Sequence, residues 1–99
     1  MLTDIYQKIA ADFGSQAALA HQALDELDVK TKGLISPRLV RAIIYLSKGN
    51  IEELKKKIEL ARHNSQDIFM QSEFSYPENT RIRDFNKTFH ELKLIEKST

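Results

Sequence analysis

The sequence predicts an all-α protein, a compact bundle of five to six short helices with a buried central helix at about 37–48. Three observations predict it. Apolar residues recur at spacings of three and four through most of the chain, as a helix with one buried face requires. Helix start and stop residues punctuate that pattern, most clearly at Ser36-Pro37 and Gly49-Asn50. Residues 38–48 are apolar on most of a helical circumference (Leu39, Val40, Ala42, Ile43, Ile44 and Leu46), and a helix of that kind is covered on most sides.

Each element follows from its own residues. Leu2, Ile5, Tyr6, Ile9 and Phe13 share one face of a first helix, with Thr3 placed to cap its start and Gly14 to end it at positive φ. Ser15 then stands before a second helix whose inner face is Ala17, Ala20, Ala23, Leu24 and Leu27, small enough for close packing. The pattern lapses over residues 28–35, where Gly33 marks a loop. Ser36 can cap the third helix while Pro37, at its first position, has a preset φ and no N–H to leave unpaired. Gly49 closes that helix and Asn50 caps a fourth, with Glu53 three residues on and an inward seam of Ile51, Leu54, Ile58 and Ala61. Glu52–Lys56 and Glu53–Lys57 have the i,i+4 spacing of stabilising surface pairs.

Ser65 can cap a short fifth helix over 66–71, which Tyr76-Pro77 ends in a turn at 76–80. Ile82, Phe85, Phe89 and Leu92 repeat at three and four, predicting a last helix over about 80–95. Asn86, Thr88 and the β-branched isoleucines weaken that helix, and the alternative is that 81–85 forms an extended segment laid over the core. The residues expected to be most buried are Ile9, Phe13, Leu24, Leu39, Ile43, Leu46, Leu54 and Ile58.

Ninety-nine residues, 41% hydrophobic and 29% charged, are expected to form a single domain over 1–99, since a chain of this length buries too little surface for two cores. No repeat or low-complexity tract interrupts it. The absence of cysteine excludes disulfides, thiolate nucleophiles and zinc–thiolate sites and is compatible with a reducing cytoplasm, the expected location. Asp4 stands where a signal peptide carries positive charge, so no export signal is expected, and the longest apolar stretch, 39–46, is broken by Arg41 and far below the ~20 residues that span a bilayer.

Fifteen cations nearly balance fourteen acids, but unevenly along the chain. Residues 1–28 carry Lys8 alone against Asp4, Asp12, Asp25, Glu26 and Asp28, whereas 29–62 carry nine cations against three glutamates. A basic middle either faces a partner or is neutralised inside the fold by the acidic start. Within it Arg38, Arg41, Tyr45 and Lys48 recur at helical spacing along the stripe free of aliphatic residues, and they are the candidate partner-binding residues. Guanidinium groups grip carboxylates or phosphates and a tyrosine covers an apolar surface or stacks on a base. The plainer reading is a solvated stripe, or one that meets the acids of the second helix.

No catalytic, cofactor-binding or metal-ligating set emerges, so the chain is not expected to be an enzyme and no cofactor is expected. His21, His63 and His90 are too far apart in sequence for a helical metal clip, His21 and Asp25 lack a nucleophile, and Gly14, Gly33 and Gly49 are too dispersed for a phosphate loop. Asp25-Glu26-Asp28 lacks the oxygen alternation and glycine of a calcium loop, and Glu52-Glu53 simply heads a helix. Glutamates at the head of the fourth helix also argue against a DNA-reading helix-turn-helix.

The function expected is therefore a small non-catalytic interaction or adaptor module for a protein partner, with self-association open to the bulky set Phe69, Met70, Phe74, Tyr76, Phe85 and Phe89. The alternative is a nucleic-acid binder using the basic segment 30–62, with Lys30, Lys32, Lys55 and Lys57 joining the stripe.

Overall fold

The computed structural model describes residues 2–33, 35–75, 78 and 80–92. Five helices follow one another: α1 (Thr3–Phe13), α2 (Ala17–Lys30), α3 (Pro37–Ser47), α4 (Ile51–His63) and α5 (Ser65–Glu73), with a 3-10 turn at Gly14–Gln16. Among the described residues there is no β-strand, only an isolated antiparallel bridge between Phe74 and Arg81. The all-α expectation holds.

The punctuation residues explain most of the boundaries. Ser36 Oγ accepts the Leu39 N–H at 3.2 Å and Pro37 occupies the first turn of α3. Asn50 Oδ1 accepts the Glu53 N–H at 3.0 Å at the head of α4. Other expectations need correction. Neither Thr3 nor Ser15 caps with its side chain: α1 is preceded by Leu2, and Gly14, at φ 52°, leads into the 3-10 turn. Asn64, not Ser65, caps α5, its Oδ1 accepting the Asp67 N–H at 3.1 Å. On α4 the lysines reach back three residues rather than four, Lys55 to Glu52 at 4.0 Å and Lys56 to Glu53 at 3.4 Å, while Lys57 turns to Gln71 on α5.

Central α3 packs against α1, α4 and α5, and α2 against α1 and α4. Ile43 and Ile44 of α3 are wholly buried among Ile5, Ile9, Leu24, Leu54 and Ile68. Of the eight residues expected to be deepest, Ile9, Phe13, Leu24, Ile43, Leu54 and Ile58 are buried, whereas Leu39 and Leu46 lie half-buried at the margin. Buried Ser47 and Ser72 satisfy their hydroxyls by donating to the carbonyl four residues back, at 2.7 and 2.8 Å. The turn between α3 and α4 presses on the end of α1, where a Cβ built on Gly49 lies 2.5 Å from the Asp12 carbonyl oxygen.

The helix expected over 80–95 is replaced by an extended run at 80–84 and a single helical turn at 89–92. The Glu73 carbonyl accepts the N–H groups of both Ile82 (2.7 Å) and Arg83 (3.2 Å), and the Ser75 N–H donates to the Thr80 carbonyl, bonds that hold this segment against the end of α5. The turn at 89–92 begins with a capping box: the Glu91 N–H donates to Thr88 Oγ1 at 3.2 Å and the Thr88 N–H to Glu91 Oε1 at 3.1 Å. The expected turn at 76–80 and the residues beyond 92 fall wholly or partly outside the described residues.

Candidate functional site

The predicted stripe is dispersed by the fold. Arg41 is only 3% exposed. Its Nε and Nη2 donate to Asp4 Oδ2 and Oδ1 at 2.9 and 3.0 Å, and its Nη1 donates to the Phe85 carbonyl at 3.1 Å. The Arg41 hydrogen bonds come first in holding the Asp4 carboxyl below its ordinary value; the Phe89 N–H adds to them, and desolvation opposes them. Arg38 donates its Nε to Glu73 Oε2 at 3.1 Å and its Nη2 to Oε1, while its guanidinium lies 3.9 Å from the centre of the Phe69 ring. The stripe thus meets acids inside the fold, and they come from α1 and α5 rather than from α2.

Glu73 has no exposed side-chain surface. Burial, the largest influence on its carboxyl, pushes the pKa up, but the Arg38 hydrogen bonds, the Phe85 N–H at 2.9 Å and Arg81 outweigh it and hold the group below the ordinary glutamate value. This is a structural centre, joining α3, α5 and the extended segment.

Tyr45 and Lys48 remain near the surface. The half-buried Tyr45 ring lies 5.3 Å from that of Phe85, with the Arg83 guanidinium 4.6 Å from its centre, so both partners are its own chain. Lys48 is exposed at a left-handed position (φ 51°) and has no ion pair among the described residues. With Lys8 and Asp12 it borders a shallow cavity beside α1, but Lys8 and Asp12 are already paired at 3.1 Å.

The residues of the nucleic-acid alternative are also divided. Lys55 and Lys57 contact Glu52 and Gln71, whereas Lys30 ends α2 and Lys32 lies in the following turn, both exposed. Among the bulky C-terminal residues Phe85 is wholly buried, Phe69, Phe74 and Phe89 are half-buried and Met70 is exposed; Tyr76 lies outside the described residues.

The histidines take separate positions. His21 lies with its ring 4.7 Å from that of Tyr6, and His63 Nε2 is 2.9 Å from Glu59 Oε1 on the surface of α4. Among the described residues no group of three or more His, Asp or Glu side chains is arranged to hold a metal ion. No helix among them is long and apolar enough to cross a membrane.

A different surface gathers features that the sequence reading kept apart. Between α1, the C-terminal half of α2 and the start of α3 lies a groove of about 350 Å³. Ile5, Leu24 and Val40 form its buried floor. Leu2 (49% exposed) and Tyr6 (50%) form one wall, half-buried Ile35 and exposed Pro37 another, and Asp25 and Asp28 of α2 complete the lining. Leu2 and Tyr6 belong to the apolar face of α1 by spacing, yet the helices around them leave them half uncovered. Asp25 and Asp28 are exposed and have no ion pair among the described residues.

The described residues thus form a bundle of five helices with an apolar, acid-edged groove on one side. Compared with models of protein families, with curated proteins and with solved structures, the chain matches none.

Proposed function

We propose that the protein is a non-catalytic helical interaction module that binds another protein through the groove lined by Leu2, Tyr6, Asp25, Asp28 and Ile35, in a reducing compartment such as the cytoplasm, with which a chain free of cysteine is compatible. The observation that carries this reading is the half-exposure of Leu2 and Tyr6 at the edge of an apolar floor. Single exposed hydrophobics are ordinary, but apolar side chains gathered around a concavity are what binding surfaces offer. The internal ion pairs of Arg38 and Arg41 support moving the partner surface from the α3 stripe to this groove. They also count against the nucleic-acid reading, as do the α4 cations Lys55, Lys56 and Arg62, each paired with a glutamate of its own helix. A phosphate backbone is held by cations with charge to spare.

Site-specific photocrosslinking tests the proposal. A benzophenone side chain at position 6, in cells that produce the protein, is expected to give discrete protein adducts that a Leu2→Glu change abolishes, while the same group at position 55 gives none. Adducts with a second copy of the chain would make the module self-associating. Nucleic-acid adducts, or none at position 6, would overturn the reading.

A further inference from the structure

We infer that the occupant of this groove is a basic amphipathic segment of another protein, with an aliphatic side chain seated on Ile5, Leu24 and Val40 and Lys or Arg side chains beside it that pair with Asp25 and Asp28. The inference rests on the interaction reading above and adds the chemistry of the partner. Charge carries it. Among the described residues most other carboxylates are matched by cations, Asp4, Glu73 and Asp84 by arginines, Asp12 by Lys8, and Glu52, Glu53 and Glu59 on their own helix, whereas Asp67, Glu78 and Glu91 stand apart from any groove of this kind without an ion pair. The carboxylates of Asp25, Glu26 and Asp28 have neither an ion pair nor a hydrogen-bond donor among the described residues.

Their place on the helix sharpens the point. All three lie in the last two turns of α2, which ends at Lys30. The unpaired carbonyls of a helix C-terminus carry partial negative charge, so a carboxylate in the last turn, where Asp28 stands, is disfavoured and a cation favoured. An arrangement that costs the isolated protein stability is relieved when a cationic chain settles alongside. The same field repels phosphate, and so disfavours a nucleic acid or an anionic lipid surface at this groove. The apolar floor and the half-exposed Leu2 and Tyr6 demand more than a cation, because a purely polar chain would leave them wet. An apolar residue flanked by basic ones satisfies both demands. At about 350 Å³ the groove lies at the small end of ligand pockets, typically about 300–1,000 Å³, and suits a few side chains rather than a whole helix barrel.

The test is an amide-resolved NMR titration of the intact protein with three synthetic peptides: an amphipathic peptide of leucine and lysine, its leucine–glutamate counterpart, and a serine–lysine peptide of equal charge without an apolar face. The leucine–lysine peptide is expected to shift the signals of Leu2, Tyr6, Asp25, Asp28 and Ile35. The leucine–glutamate peptide is expected to leave them in place, and the serine–lysine peptide to bind at least roughly tenfold more weakly, for loss of apolar burial. Asp25→Asn with Asp28→Asn, both at exposed positions, should weaken the leucine–lysine peptide by roughly tenfold through loss of two solvent-exposed ion pairs. Equal binding of the leucine–glutamate peptide at these residues, or no effect of the double change, overturns the basic occupant while leaving an interaction groove. Shifts of these residues with protein concentration alone assign the groove to a second copy and also overturn it. If no peptide moves them and dilution does not either, both the occupant and the interaction reading fall.

Discussion

Arg41 and Asp4, thirty-seven positions apart, form a two-point ion pair in which both carboxylate oxygens receive an N–H from one buried guanidinium. The third nitrogen of Arg41 reaches the Phe85 carbonyl, and Asp4 Oδ2 also accepts the Phe89 N–H at 3.2 Å. One pair of side chains therefore fastens α1, α3 and the segment after α5 together. With Glu73 joining α3 and α5 to the same segment, the last described part of the chain is held by polar contacts around the buried ring of Phe85.

Removing one partner is expected to cost far more than removing both. Asp4→Ala leaves a guanidinium without its counter-charge in a site almost closed to water and should lower stability by roughly 3–5 kcal/mol. Arg41→Met in the same chain supplies an apolar side chain of similar reach, and the double variant should recover much of that loss. Urea unfolding of the four proteins in the cycle measures the difference. Equal losses in the single and double variants would contradict a buried pair.

Stability should fall on acidification through the ordinary carboxylate range and below it. Asp4 and Glu73 are held below their ordinary values of 3.8 and 4.5, Asp4 chiefly by Arg41, Glu73 by Arg38, the Phe85 N–H and Arg81 against the strong upward push of burial. A lowered folded-state value means that the unfolded chain takes up protons first. The stabilisation is complete above the ordinary values and is lost as pH drops through them towards the folded ones. Thermal unfolding between neutral pH and about pH 3 should show a decline beginning near the ordinary glutamate value, and Glu73→Gln should flatten it. A melting temperature independent of pH across that window would rule these carboxylates out as its source.

What the sequence disclosed follows the range of each interaction. The starts of α3 and α4 were legible because Ser36 and Asn50 each accept an N–H three residues on and Pro37 has none to leave unpaired, whereas α3 ends at left-handed Lys48, one residue before the Gly49 expected to close it. The central position of α3 was legible because its apolar circumference is a property of eleven adjacent residues. Periodicity misled at 80–88, where Ile82 and Phe85 have helical spacing but the backbone is claimed by Glu73, a residue no pattern connects to them. The Thr88–Glu91 capping box was the visible sign that helix begins only after 88. Spacing places Arg38 and Arg41 on one line of α3 but points to the acids of α2 as their counterparts, because Asp4 and Glu73 lie 37 and 35 positions away from them. The groove escaped for a related reason: spacing puts Leu2 and Tyr6 on the inner face of α1, and only the packing of α2 and α3 decides how much of that face is covered.

Two glycines of like conformation should respond differently to alanine. Gly33 (φ 74°) and Gly49 (φ 75°) both pay for positive φ when a Cβ is added, roughly 1–2 kcal/mol. Around Gly33 nothing lies within 4 Å of the added atom, whereas at Gly49 it meets the Asp12 backbone oxygen at 2.5 Å. Backbone at the end of α1 cannot swing aside as a flexible side chain does, so Gly49→Ala should cost clearly more than Gly33→Ala in chemical denaturation. Equal costs would mean that α1 is not seated against the turn between α3 and α4.

Charge reversal along α3 should separate structure from surface. Arg41→Glu places a carboxylate at a position with almost no exposure, facing Asp4 and the Phe85 carbonyl, where every neighbour that receives Arg41 is an acceptor. A buried charge next to a like charge, without a donor, belongs to the small class of substitutions that cost more than about 4 kcal/mol. Lys48→Glu changes an exposed side chain with no ion pair among the described residues, and its cost should be limited to the unfavourable field at the end of α3, about 0.3–1 kcal/mol. Circular dichroism through a urea gradient compares them directly. If Arg41→Glu stays within about 1 kcal/mol of the parent, its side chain is not held as described; if it unfolds while Lys48→Glu does not, Arg41 is a structural residue, and any partner lost on reversing the whole stripe is lost with the fold.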